Sequence, residues 1–380
     1  MLIGVRGDDT NGFFVGQAVL FDSTTGALLQ TFNDPTPSGQ LPNGLDNFGS
    51  SVSLSGNNVL VGAPGDDTNG LNVGQAHLFD ATTGTLLKTF DDPNPTNQDG
   101  FGTSVSVSGN NVLIGAYNDD TNGGQVGQVH LFDGTTGALL RTFNDPTPTT
   151  ADFFGTSVSV SGNSVLIGAR GDDTNGRDVG QAHLFDATTG TLLQTFNDPT
   201  PTGSGGVGFG DHFGSSVSVS DNYVLIGAPF DDTNGDRVGQ AHLFDATTGA
   251  LLQTFDDPTP SFRDSFGNSV EIDGNNVLIG AFNDDTNGSN PGQAHLFDAV
   301  TGALRQTFDD PTLTGSDRFG SSVSISGNNV LIGAEGDDTN GSHAGQAHLF
   351  IAVSEPGALA LFAIGLVGLM VCCRNRKPLI

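Results

Sequence analysis

An all-β fold, a seven-bladed β-propeller of four-stranded antiparallel blades, is predicted by three features of this sequence. A unit of 53 residues is written about seven times, each unit holds four short strand-like segments, and helix-forming composition is missing. The unit reads FG-S-SVSVSGNNVLIGA-x-GDDTNG-x-VGQAHLFDATTGALLQTF-DDPTP, and its Phe-Gly opening recurs at Phe48, Phe101, Phe154, Phe213, Phe266 and Phe319. The steps are 53, 53, 59, 53 and 53 residues, the longer one absorbed by a Gly-rich insert at Gly203–Gly210. A unit this small cannot bury its own core, so copies must pack on their neighbours. Of 42 acidic residues, 39 are Asp, and only Glu271, Glu335 and Glu355 are Glu. Asp is a turn residue and a poor helix former, and the 56 glycines point the same way.

The segments of the second copy show the pattern. Strand A is Ser51–Ser55 and strand B is Asn58–Ala63, joined by Gly56-Asn57, a pair suited to a tight hairpin. Strand C spans Gly74–Asp80 and strand D spans Leu86–Phe90, with Ala81-Thr82-Thr83-Gly84 as the turn between them. The B–C connection carries Gly65-Asp66-Asp67-Thr68-Asn69-Gly70, and the link to the next strand A opens with Asp91-Asp92-Pro93. In an up-and-down meander alternate loops share an edge, so the acidic B–C and D–A loops are expected on one face and the short A–B and C–D turns on the other. The strand inventory is six A, seven B, seven C and six D, which leaves the first and last blades incomplete. The propeller is expected over residues 1–352, with repeats starting near 1, 48, 101, 154, 213, 266 and 319.

Charge narrows the function classes. Residues 1–353 hold 41 acids against 9 Lys and Arg, a balance of −32. Such a body repels nucleic acid and anionic lipid, and favours cations, basic partners or neutral glycans. The only cysteines, Cys372 and Cys373, lie in the tail, so the repeats contain no disulfide.

Phe48-Gly49-x-Ser51-Val52, followed by Val61-Gly62-Ala63-Pro64, resembles the FG-GAP repeat of integrin α-subunit propellers and their bacterial relatives. Gly227-Ala228-Pro229 repeats the full motif, while Gly115-Ala116-Tyr117 and Gly280-Ala281-Phe282 replace the proline. Kelch and WD40 units have similar lengths but lean on Trp, of which there is none. The resemblance implies calcium in a D-x-D-x-D-G loop between strands A and B. Here that loop has shrunk to Ser55–Asn58, which supplies too few oxygens for six- to eight-fold coordination.

The GDDTNG loop is the main candidate for chemistry. Its metal-ligand candidates are Asp66, Asp67 and Asn69; Asp119, Asp120 and Asn122; Asp172, Asp173 and Asn175; Asp231, Asp232 and Asn234; Asp284, Asp285 and Asn287; and Asp337, Asp338 and Asn340. Asp-x-Asn-Gly imitates the middle of a calcium loop, yet no copy offers a distal bidentate Glu. An Asx-stabilised turn explains the same residues, so both readings stand, with Ca2+ as the candidate ion. The strand-C histidines His77, His130, His183, His242, His295 and His348 occupy one position per blade. That spacing keeps them too far apart to share an ion and favours a structural or surface role. Arg6-Gly7-Asp8 and Arg170-Gly171-Asp172 spell an adhesive tripeptide, but other copies carry Pro or Glu in place of Arg, so the Arg reads as drift. No nucleophile motif, phosphate loop or zinc spacing stands out from the repeat.

The C-terminus changes character at residues 353–380. Ser354-Glu355-Pro356 precedes an apolar run over residues 357–373 and then Arg374-Asn375-Arg376-Lys377. Seventeen apolar residues are at the short limit for a membrane-spanning helix, and the basic end places its far side in the cytoplasm. The arrangement resembles the PEP-CTERM sorting signal of Gram-negative bacteria, with Ser354 in place of the first proline. The resemblance implies export, contact with the inner membrane through residues 357–373, and an exosortase-type processing enzyme. At the other end, Met1-Leu2-Ile3-Gly4-Val5 aligns with Val-Leu-Ile-Gly-Ala inside strand B, and no signal peptide precedes it. The expectation is an internal Val codon read as the start, with the true chain beginning upstream. Together these features describe an exported envelope or surface module, not an enzyme, that binds a glycan, matrix component or protein partner. A passive spacer and the propeller of a hydrolase are the alternatives.

Overall fold

The computed structural model describes residues 1–10, 14–38, 45–202, 210–220, 222–341 and 344–352. Most of the Gly-rich insert, the Ser354-Glu355-Pro356 motif and the apolar run at 357–373 lie outside these residues. Among the described residues no helix is long and apolar enough to cross a membrane. The fold is an all-β seven-bladed propeller of antiparallel blades, with 26 strands among the described residues. The first sheet has three strands, Leu2–Val5, Gln17–Phe21 and Leu28–Asn33, and so does the last, Phe319–Ser326, Asn329–Ala334 and Gln346–Ile351. Among the described residues the first sheet has no strand A and the last no strand D, as the inventory of the sequence predicts.

Two compact units divide the chain, Met1–Val224 with Ala246–Gly249, and Leu225–Asp245 with Ala250–Ile380. Blades 1 to 4 belong to the first unit and blades 6 and 7 to the second, while the residues of blade 5 contribute to both.

Within the first unit, blade 2 runs Ser51–Ser55, Asn58–Ala63, Gln75–Asp80 and Leu86–Asp91, each boundary within one residue of its expected place. Blade 4 runs Phe154–Ser161, Ser164–Ala169, Gln181–Asp186 and Leu192–Asn197. Its strand A carries a bulge between Phe154 and Ser157, so Phe154 pairs with Ala169 and Ser157 with Gly168. The bulge lets the Phe-Gly opening re-aim its ring into the core before the regular ladder starts.

Burial follows from stacking sheet on sheet. Strand B, Ser164–Ala169, is buried at every residue but the first, because sheets cover both of its faces. In strand D of blade 4 only Phe196 is buried, as suits an outer edge strand. The core lies between blades. Leu113, Val129, Leu131 and Phe143 of blade 3 pack with Phe154, Val160, Val165, Ile167 and Phe185 of blade 4 in one cluster. In the second unit the same arrangement joins Leu278, Leu296 and Phe308 to Phe319, Ile325 and Ile332.

Candidate cation-binding carboxylate clusters

The D–A link and the following B–C loop meet, and they bring aspartates together that are far apart in sequence. Asp145 follows strand D of blade 3, Asp152 stands two residues before Phe154, and Asp172 is the first acid of the B–C loop of blade 4. All three are buried, and one carboxylate oxygen of each lies within 4.8 Å of the others. Asp34, Asp46 and Asp66 form the same group, as do Asp92, Asp99 and Asp119. In the second unit, Asp310 and Asp337 converge with His348.

Local turn chemistry aims these side chains inward. Asp145 Oδ1 accepts the Thr147 N–H at 2.8 Å, an Asx turn set up by the Asp-Pro-Thr sequence. Asp152 accepts both the N–H and the hydroxyl of Thr149. Asp172 Oδ1 accepts the Thr174 N–H at 2.8 Å. The Thr147 hydroxyl reaches 3.2 Å from Asp172 Oδ2 and 3.1 Å from Gln181 Oε1, so it bridges link and blade. Asp145 Oδ2 has no hydrogen-bond partner, and neither has Asp34 Oδ2, Asp66 Oδ2, Asp92 Oδ2 or Asp119 Oδ2.

Burial of charge without a counterion is costly, and the carboxyls register it. Burial pushes Asp145 up to about 7, with the charges of Asp152 and Asp172 adding to the effect. Asp34, Asp92 and Asp257 are likewise pushed up to about 7, first by burial. Asp66, Asp119, Asp284 and Asp152 are raised by the same cause.

A histidine faces the first aspartate in three of these groups. His183 Nδ1 lies 3.1 Å from the Thr195 hydroxyl, and its Nε2 lies 4.0 Å from Asp145 Oδ1. His77 and His348 face Asp34 and Asp310 in the same way, at 3.9 Å. Burial lowers His183 and His77 to about 4, so both rings are neutral. Each ring also packs on the Phe of the Phe-Gly opening, His183 with its centroid 6.0 Å from that of Phe154. No two of these histidines share a group.

The residues expected to act as pairs are split by the fold. Only the first acid, Asp66, Asp119, Asp172, Asp284 or Asp337, is drawn into the interior. The second remains in the loop: Asp120, Asp173, Asp232, Asp285 and Asp338 are exposed and Asp67 is half-buried. Asp173 Oδ1 accepts the Asp178 N–H at 2.7 Å, and Asp67 and Asp120 close their loops alike. Asn175 donates to Asn197 at 2.7 Å, and Asn69, Asn122 and Asn287 reach the equivalent position of their own strand D. In the Arg-Gly-Asp at residues 170–172 the Asp172 side chain is wholly buried and the Arg170 guanidinium lies 5.1 Å from the Phe153 ring, so this tripeptide is not on display. The link aspartates Asp34, Asp92 and Asp145, and Asp46, Asp99 and Asp152 before each Phe-Gly, are the residues that sequence reasoning passed over. Their signal was recurrence at fixed places of the unit, immediately before Pro and two residues before Phe.

Comparison with known proteins agrees with this architecture. A likeness in fold, with a TM-score of 0.50 at 18% identity, extends to the crystal structure of the computationally designed Ika8 protein, covering 89% of this chain and 91% of that one. No curated protein matches. The PEP-CTERM protein-sorting motif matches residues 352–377, which implies export and processing by an exosortase. The FG-GAP repeat matches residues 42–79, 92–132, 148–185, 205–244, 260–297 and 313–350, more than half of the sequence, and the chain belongs to the FG-GAP repeat family.

Proposed function

We propose that this chain is an exported binding module of the bacterial envelope or surface, not an enzyme, which presents acidic loop side chains to a glycan, a matrix component or a protein partner. The observation that carries the reading is the division of labour within the aspartate pairs. One acid per B–C loop is spent on the interior, and the other, as at Asp120, Asp173 and Asp285, stays exposed on a loop fixed by its own hydrogen bonds. A rigid, repeated array of single carboxylates suits contact with polyols or basic groups more than catalysis, which needs unlike groups converging on one atom. The sorting motif supports a location outside the inner membrane, with residues 357–373 as the anchor and an exosortase-type enzyme as the processing partner.

The full chain, purified in detergent, is to be applied to a glycan array and to immobilised envelope polysaccharide beside a variant carrying Asp120→Asn, Asp173→Asn and Asp285→Asn. Retention of the parent and its loss in the variant supports the reading. Equal retention of both overturns the role given to these loop acids, and retention of neither leaves the passive spacer.

A further inference from the structure

We propose that the buried aspartate groups are divalent-cation sites, each built by two aspartates of a D–A link, the first aspartate of the next B–C loop, and the inward-facing strand-C histidine. The ion would fasten the link of one blade to the body of the next. Asp145, Asp152 and Asp172 with His183 make one site, and Asp34, Asp46 and Asp66 with His77 another. The inference is independent of what the exposed loops bind.

Two observations separate these groups from an ordinary acidic patch. Three carboxylates share a space no more than 4.8 Å across in which every member is buried. Like charges that close, shielded from water, do not stay ionised without a compensating positive charge. The second observation concerns the histidine. His183 is wholly buried and its Nδ1 is matched to a hydroxyl, while its Nε2 has no hydrogen-bond partner. That nitrogen faces Asp145 Oδ1 across 4.0 Å, too far for a hydrogen bond and in the range of two ligands on one ion. His77 with Asp34 and His348 with Asp310 repeat the arrangement, and Asp310, Asp337 and His348 converge as ligands in their own right. With Nδ1 bearing the proton, each Nε2 presents a lone pair to the site.

The donor set indicates the ion. Carboxylate oxygens outnumber nitrogen, three to one where His183 or His77 meets its group and two to one at Asp310, Asp337 and His348, and donor atoms spread over 4.8 Å suit metal–oxygen distances of about 2.3–2.6 Å. Zinc, held at about 2.0–2.2 Å by four ligands, calls for a tighter set. Calcium is therefore the first choice, and manganese, which takes carboxylates readily, the second.

The test uses the full chain in detergent, stripped with EDTA and then titrated separately with CaCl2, MnCl2 and ZnCl2. Thermal unfolding and calorimetric stoichiometry are the readouts. Calcium or manganese is expected to raise the unfolding temperature by several degrees at millimolar concentration, with more than one ion bound per chain. Asp145→Asn should remove about one ion per chain, and Asp173→Asn none. Should Asp145→Asn fail to fold, His183→Gln and Asp310→Asn carry the same comparison. A chain that takes up none of the three ions overturns the proposal, and protons shared among the carboxyls then neutralise the groups. Equal stoichiometry in Asp145→Asn and Asp173→Asn overturns it as well, and uptake of zinc alone overturns the choice of ion.

Discussion

The Ser106 hydroxyl accepts the backbone N–H of Val160 at 3.0 Å, which joins strand A of blade 3 to strand A of blade 4 through a bond that belongs to neither sheet. Ser53 receives Val107 at 3.0 Å, and Ser159 receives Val219 at 3.1 Å. Strand A has a ladder partner on one side only, so every second N–H points away from its own sheet. A serine from the preceding blade satisfies it, which explains the alternating serines of Ser-Val-Ser-Val-Ser.

Ser106→Ala leaves the Val160 N–H unmatched in a half-buried seam. The expected cost is on the order of 1–2 kcal/mol, read as a lower denaturant midpoint with an unchanged slope. An unaltered midpoint means that water replaces the hydroxyl there and that the seam adds nothing to stability.

The glycine of Ile-Gly-Ala is a packing residue. A Cβ on Gly168 would lie 2.0 Å from the carbonyl oxygen of Gly214, the glycine of the next Phe-Gly, and 2.4 Å from Ser157 Oγ. Neither neighbour can retreat, because Ser157 Oγ donates to that same carbonyl at 2.7 Å. Gly168→Ala should therefore cost more than about 3 kcal/mol or abolish soluble expression. Gly162→Ala, in the A–B turn at φ +56° with open space around it, should cost only about 1 kcal/mol. Paired midpoint measurements decide it, and equal costs would show that the Gly214 carbonyl and Ser157 give way, so that close approach does not select glycine at position 168.

Phe154 is wholly buried and meets Phe185 edge-on, with ring centroids 6.3 Å apart, and it packs at a tilt against His183. Phe154→Ala removes a ring from the contact between two blades and withdraws the support of the histidine. A loss of about 3–5 kcal/mol is expected. Phe154→Leu, which keeps most of the volume, should recover at least half of that; a variant no better than alanine would point to the aromatic contacts over volume.

The blades were legible because each strand carries its pattern locally. Val-Leu-Ile-Gly-Ala, bounded by Asn and Gly turns, reads as a buried strand in any copy, and Gln-Ala-His-Leu-Phe-Asp likewise. The carboxylate groups were only half legible. Asp172 attracted notice because it sits beside Asp173 in a motif with metal-loop spacing. Asp145 and Asp152, 27 and 20 residues earlier in the sequence, do not look like its partners until the link folds back across the loop. Local spacing also cannot tell which member of an adjacent pair turns inward. The Thr174 N–H on one side and the Asp178 N–H on the other settle that for Asp172 and Asp173. The aspartates that His77, His183 and His348 face were hidden for a related reason, since in the sequence the histidines can be compared only with one another.

Glu271 stands where blades 2 to 4 have the seam serine, and its Oε2 accepts the Ile325 N–H at 3.2 Å. Burial pushes its carboxyl from 4.5 up to about 7, with the charge of Asp273 adding and the hydrogen bonds from Ser324 and Ile325 opposing. The folded chain thus keeps a proton that the unfolded chain releases from about pH 4.5 upward. Its contribution to stability is complete below that value, declines as pH rises, and is lost above about 7. Glu271→Gln removes this slope while preserving an acceptor for Ile325. At pH 8 the variant should be the more stable, by on the order of 1 kcal/mol after allowing for the partial exposure of the side chain. Toward pH 4 the two chains should converge. Urea midpoints measured across this range test the point, and parallel curves for variant and parent would place the Glu271 carboxyl in the ordinary range, ionised in the folded seam.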